Sequence, residues 1–309
     1  MILVRDIRLP LSAGEPQAFE KALHLARIPR SKAAHLGVAR LSVDARHGQP
    51  KLVYTIAVTL KDEGEESAYA GASPCVAIRG KTDLSVQNGT QRLPHRPVVC
   101  GLGPAGLFAA LLLARQGYKP IVLERGPALD ERVKAVEHFS ATGELDPNAN
   151  IQFGEGGAGT FSDGKLNTGT HGAFNREVLE TFVSFGAPEE ILWLNKPHIG
   201  SDNLKKVVKN IREFIIKQGG RVEFNTKLTD ILVKDGGVKA VKWKREGSLE
   251  ETAEVSAVVL AVGHSARDTF EMLHSRGVAM RQKDFENILR THSLNRLMKF
   301  LKGNMEAEF

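Results

Sequence analysis

Three glycines and one acidic residue stand at set spacings within a single segment, VVCGLGPAGLFAALLLARQGYKPIVLERG, residues 98–126. The apolar run before Gly101 predicts a short strand, and the apolar residues after Pro104 predict a buried helix that ends near Gly117. KPIVLE then predicts a second strand, parallel to the first. Such a segment is typical of an α/β fold in which a glycine loop turns directly into a helix.

Each glycine of this loop has its own expected purpose. Gly101 allows the sharp turn, Gly103 lets a diphosphate approach the backbone, and Gly106 lets the helix lie close to the strand. Pro104 suits the first helical turn, where the free N–H groups and the positive end of the helix dipole favour an anion. Glu124 ends the second strand, about 20 residues beyond the glycines, where an acid accepts from a ribose hydroxyl. The segment therefore predicts a dinucleotide site.

Two alternatives to this interpretation stay open. A glycine turn without any ligand would leave Gly103 and Glu124 unexplained. Arg125, next to Glu124, is compatible with the 2′-phosphate of NADP, although an ordinary surface arginine explains it equally well.

A second glycine loop, NIQFGEGGAGTFSDGKLNTGTHG, follows at residues 150–172. Its glycines let the backbone wrap a bulky, flat ligand, and its apolar punctuation argues for a packed loop rather than a linker. The later strand VSAVVLAVGHS, residues 255–265, has the pattern of a strand that re-enters a nucleotide domain. This two-part layout predicts FAD.

The chain of 309 residues is long enough for two domains. Residues 1–95 predict a small α+β domain with the order strand, helix, strand, strand. Residues 96–284 predict a Rossmann-like FAD/NAD(P)-binding domain of the α/β class. Within the second domain, RVEFNTKLTDILV and VKAVKWK predict strands around a turn at residues 235–237.

The composition, with 42% hydrophobic and 25% charged residues, is that of a globular protein. The net charge of +6 is scattered, which argues against a dedicated nucleic-acid arm. The two cysteines, Cys75 and Cys100, make neither a disulfide framework nor a metal site. No apolar run reaches the roughly 18 residues of a membrane span, so we expect a cytoplasmic protein without a membrane partner.

The segments NIQFGEGGAGTFSDGKLNT and KPHIGSDNLKKVVKNIREFIIKQGG, and SVDAR before VYTIAV, resemble a bacterial family. It is the family of FAD-dependent dehydrogenases, also called NAD(FAD)-utilising dehydrogenases, and the resemblance covers about residues 1–284. It implies a glutathione-reductase-like FAD domain with part of an inserted second domain at residues 96–284, a small N-terminal α/β domain, and an atypical tail at residues 285–309.

The resemblance also implies which residues hold the cofactor. Those expected at the ADP part are Gly101, Gly103, Pro104, Ala105, Gly106, Glu124 and Arg125. Those expected beside the ribityl chain or flavin are Gly157, Thr160, Ser162 and Gly164. Lys227 or Leu228 is the candidate for a backbone contact to adenine, and Gly263 is expected to close a turn near the cofactor.

The family continues well beyond the point where this sequence ends, and after MRQKDF the family pattern stops. We therefore expect that the isolated chain binds FAD weakly, or only together with a complementing C-terminal half.

The implied reaction is hydride transfer between flavin and either NAD(P)H or an unknown small-molecule substrate. Nucleophilic, zinc and dithiol motifs are absent from the sequence. Asp163, Lys165 and His171 lie close enough to the second glycine loop to donate protons, but loop hydrogen bonds or solvent exposure explain each of them better. We therefore assign no catalytic residue. Two other classes remain open: a non-catalytic remnant or scaffold, and a flavin-dependent RNA-modifying protein, which the lack of a basic stripe disfavours.

Overall fold

The computed structural model describes residues 1–46, 48–80, 92–162, 164–166, 168, 172 and 174–281. The fold is mixed α/β, with three sheets and six α-helices in these residues. The chain divides into two compact units, Met1–Ala266 and Arg267–Phe309. The predicted division at residues 95 and 284 stays a prediction, and the tail from residue 285 lies outside the described residues.

The bounds of the regular elements are as follows. The helices are α1 (Glu15–Ala26), α2 (Pro104–Arg115), α3 (Leu129–Thr142), α4 (Phe174–Ser184), α5 (Ser201–Lys217) and α6 (Arg267–Ser275). The strands are β1 (Ile2–Pro10), β2 (Ala33–Asp44), β3 (Lys51–Leu60), β4 (Val76–Ile78), β5 (Val98–Cys100), β6 (Ile121–Leu123), β7 (Arg221–Glu223), β8 (Thr226–Lys234), β9 (Gly237–Arg245), β10 (Glu250–Glu254) and β11 (Val258–Leu260).

The N-terminal residues form an antiparallel sheet in the order β2-β3-β1-β4. The apolar face of α1 packs on alternate residues of β1 and β3, such as Val4 and Ile56, which are fully buried. The predicted order of strand, helix, strand and strand is confirmed, and β4 adds an edge strand. The charged stretch at residues 61–67, which lacks a regular apolar pattern, contains most of a 3-10 turn, Glu63–Tyr69.

The second sheet is parallel, in the order β11-β5-β6-β7. The predicted parallel pairing of the two strands around the first glycine loop is confirmed, since Val98 pairs with Ile121 and Cys100 with Leu123. The strand that re-enters from a distance, β11, pairs with β5 on its other side. Helices α2 and α5 pack together on this sheet and enclose the larger apolar core.

The run RVEFNTKLTDILV is two strands rather than one. Its first part, β7, joins the parallel sheet, whereas β8 joins the antiparallel sheet β10-β9-β8. Asn225 lies between them with φ +52°, a left-handed conformation that asparagine tolerates better than most residues. The predicted turn at residues 235–237 is confirmed, with Asp235 at φ +53° and Gly236 at φ +72°.

The edge of the N-terminal sheet also contacts residues 193–195 within the first compact unit. Leu41 and Leu194 form a parallel bridge, in which the Leu41 N–H donates to Trp193 O at 2.9 Å and the Asn195 N–H donates to Leu41 O at 3.0 Å. The Arg40 guanidinium donates to Asn195 Oδ1 at 2.9 Å. None of the helices in the described ranges has the length and apolarity that crossing a membrane requires.

Candidate functional site

Two glycines of the first loop are required by close approach of protein backbone. Gly101 follows β5 with φ +97°, and a Cβ there would lie 2.4 Å from the carbonyl oxygen of Ala261. A Cβ at Gly106 would lie 1.8 Å from the Gly101 oxygen. Both positions therefore exclude any side chain, and they bring α2 against the end of the sheet.

Gly103 is different from its two neighbours. Its φ of −66° and ψ of −178° are accessible to any residue, and a Cβ there would meet nothing within 4 Å. The following residues, Pro104 and Ala105, are exposed. The α2 ladder begins where the Leu107 N–H donates to Gly103 O at 2.9 Å, so the N–H groups of Gly103, Ala105 and Gly106 come before the first bond of the helix. This helix start has the chemistry of an anion site.

Glu124 lies beneath this loop at the end of β6. Its side chain is 3% exposed, and its two oxygens accept from the Leu102 N–H at 2.7 Å and the Gly126 N–H at 2.8 Å. Burial raises the pKa of Glu124, while these two N–H donors and the charge of Arg132 oppose that rise. The carboxylate thus holds the first glycine loop in shape, and its contact to a ribose stays a prediction.

The second glycine loop lies directly on the first. The Gly156 N–H donates to Leu102 O at 2.9 Å, so Leu102 links Glu124 through its N–H and the second loop through its carbonyl. Gly157 has φ +71°, and a Cβ there would lie 2.6 Å from Cδ of Pro104. The structure therefore brings Gly157 together with the start of α2.

The other residues predicted beside the flavin make contacts within the protein. Thr160 is fully buried, and its hydroxyl donates to Gly157 O at 2.8 Å. The Ser162 hydroxyl donates to Gly159 O at 2.9 Å and accepts from the Gly164 N–H at 3.3 Å. A Cβ at Gly164 would lie 2.5 Å from the Gly200 nitrogen. Contacts of these residues with a flavin remain predictions.

The remaining predicted cofactor residues lie near the carboxyl ends of β6 and β11 in the parallel sheet. The Arg125 guanidinium stacks over the Phe153 ring at 5.6 Å. Lys227 and Leu228 follow Thr226, the first residue of β8, whose N–H donates to Glu124 O at 2.9 Å. Gly263 follows β11, the neighbour of β5, and is exposed with φ +74°.

Of the three side chains considered as proton donors, Asp163 and His171 lie outside the described residues. Lys165 is exposed and forms an antiparallel bridge with His198. Cys100 is buried in β5, where burial raises the pKa of its thiol to about 12, as expected of a core residue. In the described ranges, no group of three or more His, Cys, Asp or Glu residues is placed to hold a metal ion.

Arg132 was not predicted from the sequence as a site residue. It lies in the first turn of α3 and is fully buried. Its guanidinium donates to five oxygens of the second glycine loop. These are Asn150 O at 3.2 Å, Ile151 O at 2.9 Å, Glu155 O at 2.7 Å, Gly157 O at 3.0 Å and Thr160 Oγ1 at 3.1 Å. Burial lowers the pKa of Arg132 to about 10, opposed by the charges of Glu124 and Glu155.

Glu155 is a second buried charge that the sequence analysis did not single out. Its Oε2 accepts from the Leu129 N–H at the start of α3 at 2.8 Å and from Arg212 Nη1 at 2.9 Å. Its Oε1 has no hydrogen-bond partner among the described residues. Burial raises the pKa of Glu155, and the charge of Arg212 opposes that rise. Glu155 thus ties the second loop to α3 and α5.

Comparison with known sequences gives two findings. A family model described as a domain of unknown function (DUF8436) matches residues 1–59. A protein of Clostridium beijerinckii, described as uncharacterised, is 40% identical over 285 residues, which cover 92% of this chain and 52% of that protein. The chain therefore spans about half the length of this relative.

Comparison with solved structures finds limited likenesses. Thermovibrio ammonificans THI4 is 18% identical, with 60% of this chain and 62% of that chain covered at a TM-score of 0.40. The 3-ketosteroid-delta4-(5alpha)-dehydrogenase of Rhodococcus jostii RHA1 is 18% identical, with 64% and 51% covered at a TM-score of 0.36. The L-amino acid deaminase of Proteus myxofaciens is 14% identical, with 64% and 51% covered at 0.30. At such scores the likenesses carry no argument about the activity of this chain.

Proposed function

We propose that this protein is a FAD-dependent oxidoreductase that binds the ADP half of FAD at the first glycine loop. The observation that carries the proposal is the open space above Gly103. Neither its backbone angles nor its packing requires glycine, whereas Gly101 and Gly106 are both required by the protein itself. A ligand that binds close to the main chain at position 103 would explain why this residue is glycine.

The residues at the helix start fit a diphosphate. The N–H groups of Gly103, Ala105 and Gly106 precede the α2 ladder, and Pro104 has no N–H to satisfy. Fixed dipoles of this kind favour an anion without an ion pair. Glu124 holds the turn that leads into this helix start, because it accepts from the Leu102 N–H.

The flavin half is expected to extend along the second glycine loop, which is attached to the first through Gly156 and Gly157. When bound, the flavin supplies hydride acceptance and donation, chemistry that protein side chains lack. The protein's own part is to hold the cofactor, to orient it and to exclude water. NAD(P)H as electron donor and a small-molecule substrate complete the proposal.

The test is Gly103→Val, with binding of ADP and FAD to the purified protein measured by calorimetry and by flavin fluorescence. The backbone angles at position 103 suit valine and a Cβ there meets nothing within 4 Å, so we expect the fold to be retained while the side chain occupies the proposed diphosphate position. We expect both affinities to fall about tenfold or more, because the backbone N–H contacts are lost.

Gly237→Val is the matched control, since a Cβ at Gly237 also meets nothing within 4 Å and this glycine lies in the β8–β9 hairpin. It should leave both affinities unchanged. A folded wild-type protein that binds neither ADP nor FAD, or a G103V protein with wild-type affinity for both, would show that the proposal is wrong.

A further inference from the structure

We infer that Arg132 is a positioning residue that holds the second glycine loop over the ADP site, and that it sets the affinity for the flavin half of FAD but not for the ADP half. This inference rests on the proposed function above. It names a residue from outside both glycine loops, on α3, as the determinant of how the two loops work together.

The hydrogen bonds of Arg132 define a geometric role. Its guanidinium donates to four main-chain carbonyls and one hydroxyl, all between residues 150 and 160. Nε and Nη2 each donate to one carbonyl, and Nη1, with two hydrogens, lies within hydrogen-bond distance of the other three oxygens. The rigid planar fork spreads its donors over these acceptors, which a single ammonium group does not. Arg132 therefore holds the first half of the second glycine loop, residues 150–160, around one side chain.

The loop is also shaped around this side chain. A Cβ at Gly154 would lie 2.7 Å from Cδ of Arg132, so glycine is needed there to admit the arginine. On the other side, the guanidinium stacks over the Phe161 ring at 4.8 Å. Because the loop encloses this fully buried arginine, Arg132 can influence a bound ligand only through the conformation of the loop.

The first glycine loop has separate support. Its shape depends on the Glu124 carboxylate, which accepts from Leu102 and Gly126, and on the packing of Gly101 against Ala261. Arg132 donates no hydrogen bond to any of these groups; it acts on the first loop only through its charge near Glu124 and through the contacts of Gly156 and Gly157 with that loop. Loss of Arg132 should therefore loosen the second loop while the ADP site keeps its form, so that FAD and ADP respond differently.

The experiment compares Arg132→Gln, Arg132→Lys and Lys134→Gln in the full chain, with FAD and ADP as separate probes. Lys134 is the matched control because it is an exposed cation on the same helix, paired with Glu131. We expect R132Q to weaken FAD binding about tenfold or more and ADP binding less than about twofold. R132K, which keeps the charge without the fork, should recover only part of the FAD affinity, and K134Q should match the wild type.

Hydrogen exchange gives a readout that does not depend on a ligand. In R132Q the amides of residues 150–162 should exchange faster than in the wild type, whereas those of α2 should not change. If R132Q does not fold, Thr160→Val removes one acceptor of the same guanidinium and should weaken FAD binding about threefold, with Thr160→Ser as the conservative match.

The outcomes separate the two hypotheses. A wild-type protein that binds neither probe overturns the proposed function and this inference with it. A wild-type protein that binds both, with equal losses for FAD and ADP in R132Q or with no loss of FAD affinity, overturns this inference alone.

Discussion

In the first glycine loop, a Cβ at Gly103 would meet no atom within 4 Å, whereas four glycines of the second loop each approach protein atoms closely. The distances from a Cβ would be 2.7 Å at Gly154, 2.5 Å at Gly156, 2.6 Å at Gly157 and 2.5 Å at Gly164. These four also have positive φ. The second loop thus needs glycine to fold, and the first loop has one glycine that folding does not explain.

This difference distinguishes two reasons for glycine in a glycine-rich segment, close packing of the protein and binding of a ligand. Glycines that face other protein atoms report on packing, and substitution there should change stability first. Gly103 faces open space with ordinary backbone angles and also stands at a helix start that suits an anion, so substitution there should change binding first; Gly237 is equally open but lies in a hairpin. Measuring stability and binding together for each position therefore tests the distinction.

The largest expected effect is that of Gly106→Ala. Its Cβ would lie 1.8 Å from the Gly101 carbonyl oxygen, so α2 must move away from the loop. We expect a loss of about 4 kcal/mol in the free energy of unfolding, measured by urea denaturation. A loss under about 1 kcal/mol would mean that the helix is not held as closely as the structure indicates.

Gly164→Ala tests the second loop. The substitution combines a left-handed φ of +74° with an approach of 2.5 Å to the Gly200 nitrogen, so we expect a loss of about 3 kcal/mol. Gly48→Ala is the control, because Gly48 has φ +65° but nothing within 4 Å, and it should cost only about 1 kcal/mol. Equal losses for the two variants would leave the packing explanation without support.

Glu124→Gln tests how the first loop is supported. The amide of glutamine accepts only one of the two N–H groups that Glu124 satisfies, which should cost about 2 kcal/mol near neutral pH.

The pH dependence has a definite sign. Burial raises the Glu124 pKa above its usual 4.5, so the folded state holds this proton more tightly than the unfolded chain. The stability from protonation is complete below about pH 4.5 and is lost as the pH rises through the folded pKa. The stability difference between wild type and E124Q should therefore shrink with rising pH across that window. A difference that grows with pH would contradict the raised pKa.

The smallest expected effect on stability is that of Gly103→Ala. Alanine caps a helix less well than glycine, but it also reduces the entropy of the unfolded chain, and the two terms nearly cancel. We expect a change of less than about 1 kcal/mol in urea denaturation, together with weaker ADP binding. A large loss of stability with unchanged binding would place Gly103 among the packing glycines.

The first loop was predictable because its signals are local. A strand, three spaced glycines, an apolar helix and a second strand follow one another within 29 residues of the printed sequence, at positions 98–126, and the parallel pairing of β5 and β6 agrees. The position of Glu124 at the strand end also followed from spacing. The hydrogen bond between its carboxylate and the Leu102 N–H could not be predicted from the sequence and is visible only in the structure.

The packing of the second loop and the role of Arg132 were harder to predict from the sequence. Gly164 faces Gly200, and no local pattern indicates such a distant approach. Residues 127–150 are polar enough to hide α3, although Leu129 and Val136 have helical spacing and Gly143 follows the last turn. Arg132 lies three residues after Leu129 on the same helix face, and this spacing is the sequence feature that indicates its burial. Its complete burial depends on acceptors from another segment.

The parallel bridge between Leu41 and Leu194 has a consequence for experiments that express fragments of the protein. Residues 1–59, matched by the domain of unknown function, contribute main-chain partners to Trp193 and Asn195. An expressed fragment that starts after residue 80 would leave that carbonyl and that amide without their partners in β2. Truncation at this boundary would therefore remove hydrogen-bond partners from the region downstream of the second glycine loop. A loss of function in such a fragment would not show that the N-terminal sheet takes part in the activity directly.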